Sequence, residues 1–190
     1  LLAGDQQVAV WQHAGHHPTD HPADEITEQI FALLGGLCEN EADGAIHPLQ
    51  QCGVASGRLI GGNVSVLGDL AATPFDQAAI LADEPFILLI EDVAESLSRL
   101  QRRLWRLRLS GLLNRAEGIV VGQFTACPGG VNFSSAEEMI ADLLREWHID
   151  CPVAYNFPAG HDDCNLPLLI GARTRLEVAP CAVALTQESI

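Results

Sequence analysis

Apolar residues along the chain form short continuous runs, separated by segments with helical periodicity. Phe86–Ile90 and Gly118–Gly122 are runs typical of strands buried on both faces of a sheet, and Pro152–Tyr155 is a third, shorter run. Between the first two, Ser96–Leu109 has the pattern of an amphipathic helix. Its apolar stripe consists of four leucines: Leu97, Leu100, Leu104 and Leu107.

Turn and capping signals complete this pattern. Gly61-Gly62-Asn63 predicts a turn, followed by a short helix over Val64–Leu70. Ser135-Ala136-Glu137-Glu138 has the form of a capping box and predicts the start of another helix. Thr174–Val178 and Ala182–Leu185 predict a hairpin. Strands that alternate with helices indicate an α/β domain with a mixed, largely parallel sheet flanked by helices.

The first 52 residues have a different texture. Val8–Trp11 predicts a short strand, His13–Pro22 a polar loop and Asp24–Leu34 a helix, whereas residues 38–52 have little periodicity. The loop contains an H-x-x-H-H-x-x-x-H run that could ligate zinc: His13, His16, His17 and His21. A polar loop is the simpler interpretation, because this segment has no cysteine ligand and is interrupted by proline. We therefore predict no metal and no cofactor.

The charge balance restricts the possible partners. The 190 residues carry 25 acidic and 10 basic side chains, for a formal net charge of −15. Nucleic acid is a poor partner for such a surface, because phosphate binding requires cationic side chains. Every basic residue is arginine, which excludes a lysine Schiff base, a P-loop lysine and a Ser-Lys dyad. No apolar run reaches the roughly 18–20 residues of a membrane span.

Two residue types leave alternatives open. The six cysteines are scattered with no C-x-x-C pair, which favours reduced residues of a cytoplasmic protein over disulfides. Half of the arginines lie on the leucine-striped helix: Arg99, Arg102, Arg103, Arg106 and Arg108. We interpret them as a solvated face that pairs with the protein's own carboxylates, and a subunit or domain interface is the alternative.

Residues that could take part in catalysis follow two of the predicted strands. Glu91 and Asp92 come directly after Phe86–Ile90, and His161 lies in the loop Phe157–Asp163 after the third strand. Carboxyl ends of parallel strands share one edge of a sheet, where functional residues gather. A carboxylate beside a histidine suits a general base and the group that orients it. The plain alternative is that Glu91 caps the following helix and His161 is an ordinary loop residue.

Four stretches, in matching order and spacing over residues 53–178, make the chain similar to a known family. They are Gly61–Leu67 with Thr73-Pro74, Leu89–Glu95, Gly118–Phe124, and Phe157–His161 with Asn165–Pro167. The chain resembles the C-terminal domain of the LD-carboxypeptidases, the S66 serine peptidases. That resemblance implies hydrolysis of the amide between an L-centre and a terminal D-Ala in murein tetrapeptides, during cell-wall recycling. It also implies a Ser-His-Glu triad in which Glu91 is the acid and His161 the base, with Glu95 as a rival for the acid.

The chain departs from this family in its serine. No nucleophile elbow occurs, and Ser56 and Ser65, which have glycines nearby, lie in the C-terminal domain region. We therefore expect residues 1–52 to be an interdomain segment left from a missing N-terminal domain, and residues 53–190 to be the C-terminal domain. The expected partners are a muropeptide and the missing domain that carries the serine, and a homodimer is a further option. Without that serine the chain is expected to be nearly inert.

Two alternative functions remain at this point. One is the microcin-immunity branch of the same family, which acts on an acyl-nucleotide conjugate and would need an aromatic pocket for the base. The other is a non-catalytic domain that binds a muropeptide or a protein partner without turnover. The exact peptide, the oligomeric state and the origin of the missing half (truncation, proteolysis or a split protein) are left open.

Overall fold

One mixed sheet organises the part of the chain that the computed structural model describes, which is residues 6–11, 47–162, 165–180 and 182–188. Its seven strands lie in the order β1-β7-β6-β2-β3-β4-β5. The strands are β1 (Gln6–Trp11), β2 (Gly53–Asn63), β3 (Phe86–Val93), β4 (Gly118–Thr125), β5 (Val153–Ala154), β6 (Arg173–Ala179) and β7 (Ala182–Glu188). Strands β2 to β5 pair in parallel, and β2 with β6, β6 with β7 and β7 with β1 are antiparallel pairs. The predicted α/β class and the predicted hairpin are confirmed.

Four helices connect these strands within the described residues. They are α1 (Val64–Leu70), α2 (Gln77–Ile80), α3 (Leu97–Leu109) and α4 (Ala136–Glu146). The leucine stripe of α3 is buried, as its spacing predicted. Ser135 caps α4 by accepting the N–H of Glu138, but the Glu138 carboxylate accepts from the N–H and Oγ of Ser134, not from Ser135. The helix start is thus confirmed, with the reciprocal bond displaced by one residue.

The core has two apolar layers, one on each face of the sheet. Leu88 and Ile90 of β3 belong to the layer beneath α1, α3 and α4, whereas Ile87 and Leu89 belong to the opposite layer. This division follows from the strand period of two, because successive side chains point to opposite faces. Leu166, in the segment that follows β5, packs against the layer that contains Ile87 and Leu89. β3 is therefore covered on both faces, as its continuous apolar run predicted.

The prediction of a turn at Gly61-Gly62-Asn63 was wrong, because these residues form the last part of β2. Gly61 allows β2 to approach β3 closely. A Cβ built on Gly61 would lie 1.9 Å from the carbonyl oxygen of Leu89 on β3, and Gly61 has a φ of +123°. A side chain at this position is sterically excluded, and the backbone conformation favours glycine.

Several other predictions fall partly within the described residues. The strand predicted at Val8–Trp11 is confirmed by β1, but the polar loop, the helix at Asp24–Leu34 and the histidine run lie outside the described residues. Arg99 pairs with Glu95 and Arg103 with Asp69, as expected of a face that binds the protein's own carboxylates.

Three of the six cysteines lie in the described ranges, and all three are free thiols: Cys52, Cys127 and Cys151. None of the helices described here has the length and apolar character that crossing a membrane requires.

Candidate active site

Glu91 lies where the pairing between β3 and β4 is interrupted. Ile90 aligns with Val121 and Asp92 aligns with Phe124, so β4 has one residue more than β3 across this step. The extra residue makes a β-bulge, a feature that commonly redirects a side chain near an active site. A side chain at Gly122 is sterically excluded, because a Cβ built there would lie 2.2 Å from the carbonyl oxygen of Ala159 and 3.2 Å from the Glu91 Cβ.

The loop that carries His161 is held along the end of β4 by main-chain hydrogen bonds. Phe157 donates its N–H to the carbonyl of Val121 (3.0 Å), and Gln123 donates to the carbonyl of Ala159 (2.9 Å). Gly160 then turns the chain with a φ of +141°, and its N–H donates to Asn165 Oδ1 at 3.2 Å. The imidazole of His161 is thereby placed over Glu91.

The two side chains are in direct contact. Nδ1 of His161 lies 2.7 Å from Oε2 of Glu91, the distance of a strong, charge-assisted hydrogen bond. The Glu91 side chain is 8% exposed and that of His161 is 52% exposed. An ionised carboxylate only accepts hydrogen bonds, so Nδ1 is the donor; in a neutral imidazole with this contact, Nε2 is the nitrogen with the lone pair. This is the geometry of an imidazole prepared to accept a proton at Nε2.

Asp92 lies on the opposite face of the sheet from Glu91. Its carboxylate accepts from Asn63 Nδ2 and from both the N–H and Oγ of Ser65, each at 2.9 Å. In the sequence, Asp92 was identified only as the second of two acids, and this role was missed. The strand period of two was the available signal, because it places adjacent side chains on opposite faces.

The other candidate residues have different surroundings. Glu95 lies just before α3 and accepts a hydrogen bond from Arg99 at 3.2 Å. Ser96 occupies the N-cap position of α3, so the alternative in which Glu91 caps that helix is wrong. Ser65 bonds to Asp92 on the helix-covered face, and Ser56 is in the part of β2 that pairs with β6.

Other titratable groups near this edge are not organised as a metal site. Among the described residues, no three histidine, cysteine, aspartate or glutamate side chains are grouped so that they could hold a metal ion. Burial raises the pKa of the Cys127 thiol, and the nearby carboxylates of Asp92, Glu95 and Glu137 raise it further. Cys127 is thus kept as a neutral thiol, a poor nucleophile.

The fold agrees with comparisons to known proteins. Residues 56–176 match the family model described as the LD-carboxypeptidase C-terminal domain. The chain therefore belongs to the LD-carboxypeptidase family.

Individual relatives have names that refer to murein peptides. The murein tetrapeptide carboxypeptidase of Pseudomonas aeruginosa is 33% identical over 121 residues, which is 64% of this chain and 38% of that protein. A Bacillus subtilis protein named "Probable murein peptide carboxypeptidase" is 30% identical over 186 residues, 90% of this chain and 56% of that protein. The matched part of the chain thus spans 38% of the first relative's length and 56% of the second's.

A solved structure shows the same fold. The muramoyltetrapeptide carboxypeptidase of Oxalobacter formigenes superposes with a TM-score of 0.71 at 24% sequence identity. The match covers 90% of this chain and 56% of that one. The architecture predicted for this family's C-terminal domain is therefore observed.

Proposed function

We propose that this chain is the C-terminal half of a serine LD-carboxypeptidase that removes the terminal D-Ala from murein tetrapeptides in cell-wall recycling. One observation supports the proposal above all: the 2.7 Å contact between Nδ1 of His161 and Oε2 of Glu91. A buried carboxylate that orients a half-exposed imidazole is the part of a serine peptidase triad that activates the nucleophile.

In this proposal the two residues have distinct roles. His161 removes the proton from a serine hydroxyl at Nε2 and later donates it to the leaving amine of D-Ala. Glu91 holds the imidazole in the tautomer with Nδ1 protonated and stabilises the imidazolium that forms. Burial of Glu91 supports this role, since an electrostatic interaction is stronger where water is excluded.

The serine in this mechanism comes from a separate segment or domain. Ser65 is engaged by Asp92 on the other face of the sheet from Glu91, which makes it unsuitable as a partner for His161. A span of only 38% and 56% of the two relatives' lengths leaves room in a longer protein for the domain that carries the nucleophile. The proposed whole protein therefore has two domains, with its site at their junction.

The proposal is tested by restoring an N-terminal half. The chain is fused behind the N-terminal domain of the Pseudomonas aeruginosa relative, and D-Ala release from L-Ala-γ-D-Glu-meso-diaminopimelate-D-Ala is measured. We expect activity in the fusion, a loss of about 10⁴-fold or more in His161→Ala, and a smaller but still large loss in Glu91→Gln. Glu95→Gln is the matched control, because it removes the same charge four residues away, and it should retain activity.

Other outcomes have a clear meaning. A fusion that binds the tetrapeptide but never releases D-Ala would support the non-catalytic binding function. If Glu95→Gln is inactive and Glu91→Gln is active, Glu95 is the acid of the triad. Release of D-Ala by the 190-residue chain without a partner would contradict the requirement for an external serine.

A further inference from the structure

Asp92 is an almost completely buried carboxylate, 2% exposed, beside the proposed catalytic pair. Besides Asn63 Nδ2 and the two donors of Ser65, it accepts the N–H of Val93 at 2.8 Å. Its two oxygens thus receive four hydrogen bonds. Such a set is large for one carboxylate, and it replaces the hydrogen bonds to water that the carboxylate loses on burial.

These bonds connect three elements at the edge where Glu91 lies. Asn63 is the last residue of β2 and aligns directly with Glu91 in the parallel pairing. Its own Oδ1 accepts the N–H of Val66 and so caps α1, while its Nδ2 donates to Asp92. Ser65 is the second residue of α1. One side chain therefore ties together the ends of β2 and β3 and the start of α1.

This connection matters because Glu91 itself has no aligned residue on β4, its neighbour on the other side. The β3–β4 pairing is interrupted at Glu91 and resumes only at Asp92. After Asp92 the strand stays bonded to β4, since the N–H of Ala94 donates to the carbonyl of Thr125 at 2.9 Å. Adjacent strand residues point to opposite faces, so anchoring the Asp92 side chain on the helix-covered face directs Glu91 to the face of His161.

We propose that Asp92 is a positioning residue that fixes the orientation of Glu91 toward His161, an inference that rests on the proposed role of that pair. Asp92 acts through the main chain and through Asn63. The competing explanation is a purely structural residue that stabilises the fold without affecting the imidazole.

The two explanations predict different results in a spectroscopic measurement on the 190-residue chain. Two-bond ¹H–¹⁵N correlation spectra report which imidazole nitrogen carries the proton, and the His161 signals are assigned by their loss in His161→Ala. With the imidazole neutral, wild type is expected to show Nδ1 protonated. We expect Asp92→Asn to shift the ¹⁵N signals of His161 toward an average of the two tautomers. The amide of the new asparagine would face the N–H and O–H donors of Ser65, and the end of β3 would be released.

Asp76→Asn provides a matched control. Asp76 is also a buried aspartate, 7% exposed, and accepts the main-chain N–H groups of Ala72 and Ala78 around α2. It has no contact with the Glu91–His161 pair. We expect Asp76→Asn to lower stability while leaving the His161 nitrogens as in wild type. Equal shifts in both variants, or unshifted His161 signals in Asp92→Asn, would overturn the proposal.

A milder variant keeps the test valid if Asp92→Asn does not fold. Asn63→Ser retains an oxygen that can cap α1 but has no amide to donate to Asp92. It should move the His161 signals in the same direction by a smaller amount, and unmoved signals in this folded variant would also refute the positioning role.

Kinetics of the two-domain fusion add a second readout. We expect Asp92→Asn to reduce kcat by about 10- to 100-fold with KM nearly unchanged, since a displacement of about 1 Å has effects of this size. An inactive wild-type fusion would disprove the proposed function, whereas the spectroscopic result would still decide whether Asp92 orients Glu91.

Discussion

Gly160 packs so closely on Glu91 that a Cβ built on it would lie 3.2 Å from Oε2, the atom that contacts His161. The same Cβ would lie 3.3 Å from the Cβ of Glu91 and 3.2 Å from the carbonyl of Gln123. The glycine therefore does more than allow the turn before His161. It provides the space in which the carboxylate and the imidazole meet.

This relationship predicts that Gly160→Ala disrupts the pair. The methyl group would push the Glu91 carboxylate aside, and we expect the His161 ¹⁵N signals to move away from those of wild type. Gly171→Ala is the control, because Gly171 also has a positive φ, +92°, but a Cβ there would meet no atom within 4 Å. Both variants should lose stability by about 1–3 kcal/mol from backbone strain in urea unfolding. Wild-type His161 signals in Gly160→Ala would contradict the steric argument.

Replacing the carboxylate itself should change the tautomer of the imidazole. In Glu91→Gln an amide faces Nδ1, and an amide can either accept or donate a hydrogen bond. We expect the neutral imidazole of this variant to populate both tautomers, as measured by the ¹⁵N chemical shifts of His161. Glu95→Gln, whose carboxylate contacts Arg99 in wild type, should leave the shifts unchanged.

The cysteines should differ in their reactivity toward alkylation. Burial raises the pKa of Cys151 to about 11, with a smaller contribution from the charges of Glu117 and Asp150. At pH 8 only about one in a thousand Cys151 thiols is then ionised, and the thiolate is the reactive form. We expect iodoacetamide to label the exposed Cys52 well before Cys151, as followed by peptide mass mapping. Labelling of Cys151 should accelerate as the pH rises toward 11, and equal rates at pH 8 would contradict its burial.

The start of α4 predicts a pH-dependent contribution to stability. Hydrogen bonds from Ser134 lower the pKa of Glu138 below its ordinary value of 4.5. A lowered folded-state pKa stabilises the fold above the unfolded-state pKa, and that contribution is lost as the pH falls through the folded-state pKa. Glu138→Gln should therefore lower the Tm at pH 7, with the difference from wild type shrinking in acid. Glu137→Gln, which leaves the Ser134 contacts intact, should have a smaller effect at pH 7.

Local patterns in the sequence were sufficient for most of the elements. The apolar runs of β3 and β4 and the leucine stripe of α3 identified these elements correctly, because burial on two faces or on one helical stripe leaves a periodic trace in the chain. The predictions at Glu91 and His161 depended on their positions after strands and on the family resemblance. Their catalytic roles remain predictions, but their contact at 2.7 Å is an observation.

Tertiary structure decided what periodicity does not encode. Gly61 and Gly62 have the local signature of a turn, yet they continue β2. Residue 61 is a glycine because the close approach of Leu89 on β3 leaves no space for a side chain. Glu91 and Glu95 are both acids near one strand end, and only the packed sheet brings Glu91 to His161, 70 residues away in the chain. Likewise, the sequence shows two adjacent acids, whereas the fold separates them: Asp92 anchors the strand end on one face, and Glu91 meets the imidazole on the other. Side-chain alternation is a local property, but which face holds a partner depends on the elements that pack there.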